Sequence, residues 1–287
     1  MPSEPSPESA PSGNCPTCAT PLLGMFCHRC GEKRVNHEDF SLKKFGVHAL
    51  DQLTHFDFKF FRSLWLLAVR PGFLTARYLE GNRKPYLKPL QLFILVNVVY
   101  FFLLHFIGWN TFASPLANHL DLYFYRDWAG GLVSRHLAAT GLNRAGYEAA
   151  FNASTLLWSK SLIFLMIPMV ALALTLLHVG SRRFVVEHLV TATHFMAWVL
   201  VFFMTVMNLI AFVIDVSGLR AHEGVVDAIG TYTVEAAFLF YVFRSLRTGY
   251  GSGNLASALR AIALTLAMYP IVQCYRFILF VVVYLAV

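Results

Sequence analysis

Long apolar runs constrain this chain most. A helix that crosses a hydrocarbon layer needs about 20 predominantly apolar residues. Five stretches meet that length, near 89–108, 156–179, 189–214, 225–243 and 261–287. Composition agrees with them. Of the 287 residues, 57 % are hydrophobic and only 14 % are charged, whereas an ordinary soluble domain carries about 25 % charged residues. The chain has too little charge to solvate a surface and too much apolar bulk for one core. The sequence predicts an all-α integral membrane protein with about five transmembrane helices in residues 89–287. For most of the chain this excludes disorder, a collagen-like repeat and a disulfide-rich secreted scaffold.

The charge is uneven, and it sets an expected orientation. The net charge is +7, with 23 Lys and Arg against 16 Asp and Glu. Twelve of the 23 lie before residue 89. With the N-terminus inside, Arg182, Arg183, Arg244, Arg247 and Arg260 join them on the inner side. Arg126, Arg135, Arg144, Lys160 and Arg220 are left outside, and Arg276 lies within a span. This satisfies the positive-inside rule at every crossing. The expectation is a multi-pass protein of an inner (cytoplasmic) membrane with a cytoplasmic N-terminus. No basic run is interleaved with aromatics, which argues against nucleic-acid binding.

Residues 1–14 are rich in Pro and Ser, have no apolar run and read as a disordered tail without a signal peptide. Over 41–88 the pattern is that of interfacial amphipathic helices. Leu42, Phe45, Ala49, Leu53 and Phe56 recur at three- and four-residue steps, with Lys43, Lys44, Asp51 and Gln52 on other faces. A second apolar stretch stops at Arg70-Pro71-Gly72, before a short helix near 73–80 and a turn at Gly81-Asn82. Arg70, Arg77, Arg83, Lys84 and Lys88 form a basic membrane-surface set. Each contributes about 1 kcal/mol beside anionic headgroups, so membrane lipids are expected partners. The outer segment 109–155 is rich in aromatics and reads as short interfacial helices.

Residues 15–31 carry the sharpest chemical signal. Cys15-Pro-Thr-Cys18 and Cys27-His-Arg-Cys30 form two Cys-x-x-Cys pairs, each able to clasp one side of a tetrahedral ion. Four thiolates favour structural Zn²⁺ and close its coordination shell, which argues against metal-based hydrolysis. Iron suits the same four ligands. Disulfides are disfavoured on a reducing cytoplasmic side. A knuckle this short has no adequate core, so the ion would supply its folding free energy. Cys274 stands apart and reads as a buried apolar residue.

Two polar groupings fall within the apolar runs. Glu235 and Arg276 are expected to pair, since neither has another partner of opposite sign at that depth. Glu187, His188, Thr191 and His194 cluster at the inner end of the third span, with Glu187, Thr191 and His194 near one helical face. Asn97 and Asn208 are expected as hydrogen-bonding glue between helices. His105, His119 and His136 show no ligand spacing.

Several stretches together resemble the bacterial membrane-protein family DUF3667, a domain of unknown function. They are the two Cys-x-x-Cys pairs, His55-Phe-Asp57 leading to Arg70-Pro71-Gly72, and Tyr78-Leu-Glu-Gly81 with Arg83-Lys-Pro-Tyr86. Glu187-His188-Leu with His194-Phe, and Tyr241 through Arg244 to Tyr250-Gly251, complete the set. The resemblance implies a zinc-ribbon-like knuckle on a multi-span bundle, and it carries no activity, substrate or catalytic residue. Three functions are then weighed. The leading one is a non-enzymatic inner-membrane protein whose knuckle acts as an adaptor for a cytosolic protein or braces neighbouring structure. The second is a transporter or small-solute channel using Glu235 and Arg276, against which no inverted repeat is visible. The third is an intramembrane or lipid-modifying enzyme using Glu187, His188 and His194, which lacks a nucleophile or zinc-site motif.

Overall fold

The computed structural model describes residues 14, 18–21, 23, 24, 26–29, 58–83, 85–107, 111–217 and 223–287. The chain divides into two units, Met1–Phe58 and Lys59–Val287. In the first, Asn14 and Pro21 form an isolated antiparallel bridge. The expected amphipathic helix from Ser41 to Phe56 lies outside the described residues.

Among the described residues, the second unit is all helical. Its order is α1 (58–69), α2 (Phe73–Leu79), α3 (Pro89–Ile107), α4 (Leu116–Asp121), α5 (Arg126–Thr140), α6 (Arg144–Leu162), α7 (Met166–Leu177), α8 (Val185–Phe202), α9 (Asn208–Ser217), α10 (Glu223–Tyr250) and α11 (Asn254–Ala286). A 3₁₀ turn, Ile163–Leu165, joins α6 to α7, and a π turn, Phe203–Met207, joins α8 to α9. Pro168 explains the 3₁₀ turn, because proline cannot donate to the carbonyl four residues back and crowds it. Three of these rods are long and apolar enough to cross a membrane: Arg144–Leu177, Val185–Ile214 and Asn254–Ala286. They contain the second, third and fifth expected spans. The first expected span is a shorter apolar helix over Pro89–Leu103, and the fourth lies inside α10.

Helix α8 is the central post. Every residue from Val190 to Phe202 is buried. A helix that is apolar nearly all round has no face to give to solvent, so it belongs in the middle of a bundle. It packs between α3 and α7, while α11 lies against α6, α7 and α10. Thr191 and Thr193 sit in this core without strain because their hydroxyls donate to Glu187 O and Leu189 O of the turn below, at 2.9 and 2.7 Å.

The expected short helix near 73–80 is α2. It is a wedge against the ends of α8 and α10, with Leu74 and Thr75 buried. The reason is a close backbone approach. Gly72 has φ +80, and a Cβ there would lie 2.6 Å from Ser245 O. On the facing helix, a Cβ on Gly249 would lie 3.3 Å from Thr75 Cγ2. Helix α1 packs through Ser63 and Leu67, and Ser63 Oγ accepts from Leu87 N at 3.1 Å. Its other face exposes Phe61, Trp65 and Val69, in keeping with an interfacial helix.

The 109–155 segment holds α4 and α5, and α6 begins at Arg144, a dozen residues before the expected span. Asn143 caps it, its Oδ1 accepting from Gly146 N at 2.7 Å. Three single-residue expectations are corrected. Cys274 is exposed on α11. Asn208 bonds within its own rod, donating to Phe203 O at 2.8 Å and Met204 O at 3.0 Å, because the π turn leaves those carbonyls to be covered. Asn97 is buried with its Nδ2 lacking a hydrogen-bond partner.

The Gly72 contact is testable against Gly81, which has φ +86 and nothing within 4 Å of the place a Cβ would occupy. Gly81→Ala should cost only the left-handed strain, about 1–2 kcal/mol. Gly72→Ala adds a backbone collision and should cost at least about 2 kcal/mol more. Thermal unfolding of the two purified variants checks this, and equal losses would contradict the wedge.

Candidate functional site

The predicted cluster at the N-terminal end of α8 assembles, with partners from other segments. Glu187, in the first turn of α8, takes Arg183 on Oε2 at 2.6 Å and the Phe184 backbone N–H on Oε1 at 3.3 Å. That is a capping arrangement at a helix N-terminus, where negative charge is favoured. Arg183 also donates to Tyr250 O and stacks over the Tyr250 ring at 4.5 Å. His188 Nδ1 meets Tyr250 Oη at 2.8 Å. His194 Nδ1 meets Thr75 Oγ1 at 2.9 Å, joining α8 to the α2 wedge. Tyr250 and Thr75 were not legible as members from local spacing.

His178, at the end of α7, completes the group. Its ring centre is 5.1 Å from that of His188 and 4.9 Å from that of Tyr250. Nδ1–H donates to Leu174 O at 2.8 Å, so Nε2 carries the lone pair, buried and without a hydrogen-bond partner. Most polar atoms here are satisfied by one another, as expected for a clamp. Among the described residues, no three His, Cys, Asp or Glu side chains are arranged to hold a metal ion.

Glu235 and Arg276 line one groove but do not pair directly. No approach within 4.0 Å joins them, in contrast to Arg183 and Glu187. The hairpin geometry explains this. Glu235 precedes Tyr250 by 15 residues and Arg276 follows Asn254 by 22. At 1.5 Å per residue the two backbones are offset by about 10 Å along the helices. The Arg276 guanidinium instead lies over the Tyr123 ring at 4.9 Å. The groove has a volume of about 720 Å³ and is walled by Phe203, Met207, Ile214, Val226 and Tyr269 among others. It shares Glu235, Arg276, Phe203, Val234 and Tyr269 with a chamber of about 270 Å³ beside Thr265 and Tyr275.

In the first unit, Cys18 Sγ and Cys27 Sγ are 3.6 Å apart and Cys27 is buried. Cys15 and Cys30 lie outside the described residues. Two sulfurs each about 2.3 Å from one tetrahedral ion would be about 3.8 Å apart, so this pair fits one edge of such a site. Of the basic set, Arg77 pairs with Glu80 at 2.9 Å, and Arg83 donates to Tyr78 O at 3.1 Å and lies 4.3 Å from that ring. Arg70 and Arg77 lie 5.9 and 5.3 Å from the Phe73 ring. Lys88 precedes α3, and Lys84 is outside the described residues.

Sequence reasoning passed over His119, which is fully buried in α4. Nε2–H donates to Ser114 O at 3.2 Å, which assigns Nδ1 as acceptor for Tyr125 Oη–H at 2.7 Å. Burial pushes this imidazole down to about 4; the Ser114 bond opposes the shift and the Arg276 charge adds to it. A neutral buried histidine stabilises fully above its unfolded value of about 6.5, and that stability is lost as pH falls toward about 4. The wild-type chain in detergent should lose on the order of 2–3 kcal/mol over that window. His119→Gln should be less stable at neutral pH and show a flatter pH dependence. Parallel slopes in thermal unfolding would contradict this assignment.

Neither a curated protein nor a solved structure matches the chain. The model of a family described as a protein of unknown function (DUF3667) matches residues 57–101. That segment runs through α1, the Arg70-Pro71-Gly72 turn, the wedge and most of α3, and it holds both Gly72 and Thr75. Through residues 57–101 the chain is similar to the DUF3667 family.

Proposed function

We propose that this chain is a bacterial inner-membrane adaptor, with a helical bundle as anchor and a cytoplasmic four-cysteine zinc knuckle as the recruiting module. In this reading α3 and α10 add two crossings to the three long rods, giving five, and the N-terminus faces the cytoplasm. The uneven distribution of Lys and Arg supports that orientation. The wedge and the Arg183–Glu187–Tyr250 clamp then brace the inner ends of the spans. Membrane lipids surround the bundle, and a cytosolic protein is the knuckle's partner.

The observation that carries the knuckle is the 3.6 Å separation of the Cys18 and Cys27 sulfurs, close to the edge of a thiolate tetrahedron. Cys15 and Cys30 would supply the other two ligands. An ion held by four thiolates has no open position, so the knuckle's surface rather than its metal would do the work. The largely self-satisfied polar atoms around Glu187, His188 and His194 favour a structural role there over lipid-modifying chemistry.

Metal analysis of the full chain, purified from membranes, tests the proposal. One zinc per chain is expected, and Cys18→Ser or Cys27→Ser should abolish it while leaving thermal unfolding of the bundle unchanged. The same variants should lose any cytosolic protein that co-purifies at fixed stoichiometry with the wild type. A metal-free wild-type chain, or recovery of the chain in the aqueous fraction after detergent-free lysis, would overturn it.

A further inference from the structure

The groove at Glu235 and Arg276 has no part in anchoring, and its chemistry is more selective than an anchor needs. We propose that it is a binding site for a zwitterionic aminophospholipid, with the lipid phosphate at Arg276, the headgroup ammonium at Glu235 and an acyl chain along Phe203, Met207 and Ile214. This rests on the membrane placement proposed above.

The argument starts from the two charges. A charged side chain at the depth of a span is disfavoured by about 2.5–3.5 kcal/mol even on insertion scales. Direct pairing would relieve this, yet the two line one concavity with no contact within 4.0 Å. Glu235 is exposed and Arg276 only half-buried, so both are open to an occupant. An anionic lipid would match Arg276 and face an unmatched carboxylate at Glu235. A lone cation would do the reverse. A headgroup with both signs neutralises both, with the phosphate on a guanidinium suited to it. The offset of about 10 Å between the two backbones leaves room for a headgroup between two long side chains.

The shape of the groove follows from three local features. The π turn Phe203–Met207 sets two wall residues, Phe203 and Met207, on its flank. Such turns recur at functional sites. Gly230 faces the same space, where an added Cβ would meet only Met207 Cε, at 4.0 Å. Pro270 interrupts the α11 ladder next to Tyr269, another wall residue. Apart from Thr231 and the Tyr269 hydroxyl the remaining walls are apolar, which suits hydrocarbon rather than a hydrated solute.

The test uses the full chain reconstituted in vesicles of equal parts phosphatidylethanolamine and phosphatidylglycerol, re-extracted in mild detergent, with retained lipid quantified by mass spectrometry. The wild type should retain the ethanolamine lipid about tenfold over the glycerol lipid, the scale of one charge-assisted hydrogen bond. Glu235→Gln should bring that ratio close to one while glycerol-lipid retention persists, and Arg276→Gln should lower retention of both. Gly230→Leu keeps both charges and fills the groove, so it should also lower both if a charge variant fails to fold. A wild-type ratio equal to that of the vesicles would overturn the proposal, as would a ratio unchanged in Glu235→Gln. A lipid-free dimer dissolved by either charge variant would overturn it too, since a second copy would then occupy the groove. Each of these results leaves the chain in the membrane and is therefore distinct from failure of the membrane placement itself.

Discussion

The uninterrupted burial of α8 from Val190 to Phe202 organises everything else in the bundle. A helix with no exposed face must be enclosed, and here α3 and α7 enclose it, with α2 and α10 also in contact with it. Its polar residues are tolerated only because each finds a bond. Thr191 and Thr193 turn back to their own helix, and His194 meets Thr75 of the wedge. The same post ends in two features. At its N-terminal end lies the histidine and tyrosine clamp, and at its C-terminal end the π turn that opens the groove.

This explains why the segment matched by the family model carries both a left-handed glycine and a buried threonine. The wedge seats only where Gly72 can approach Ser245 without a Cβ. Once seated, it presents Thr75 to His194 and completes the core around α8. The Arg70-Pro71-Gly72 turn is thus a packing device. The guanidinium groups of Arg70, Arg77 and Arg83 around it lie over aromatic rings, a cation–π arrangement.

The interiors of the three long apolar rods were readable in the sequence because hydrophobicity over 20 residues depends on local composition alone. Helix ends were less so. The α6 rod extends back to Arg144 through a more polar stretch, and only the Asn143 cap marks its start. The shared face of Glu187, Thr191 and His194 followed from helical periodicity. Tyr250 and Thr75 did not, because their contacts join positions 62 and 119 residues apart along the chain. The expected direct pairing of Glu235 with Arg276 failed on register, since antiparallel neighbours share a depth only when equidistant from their turn. Cys274 was misplaced because a span's composition does not reveal which face meets the core.

The account stands on α8 lying at the centre of a lipid-embedded bundle, and lipid-phase carbene labelling with residue-level mass spectrometry probes that most directly. A photoreactive probe dissolved in the bilayer should modify the outward residues Leu209, Phe212 and Leu266, which are 63, 64 and 70 % exposed, and leave Ala192 through Leu200 unmodified. Modification along the whole of α8, or none at the three outward positions, would contradict it.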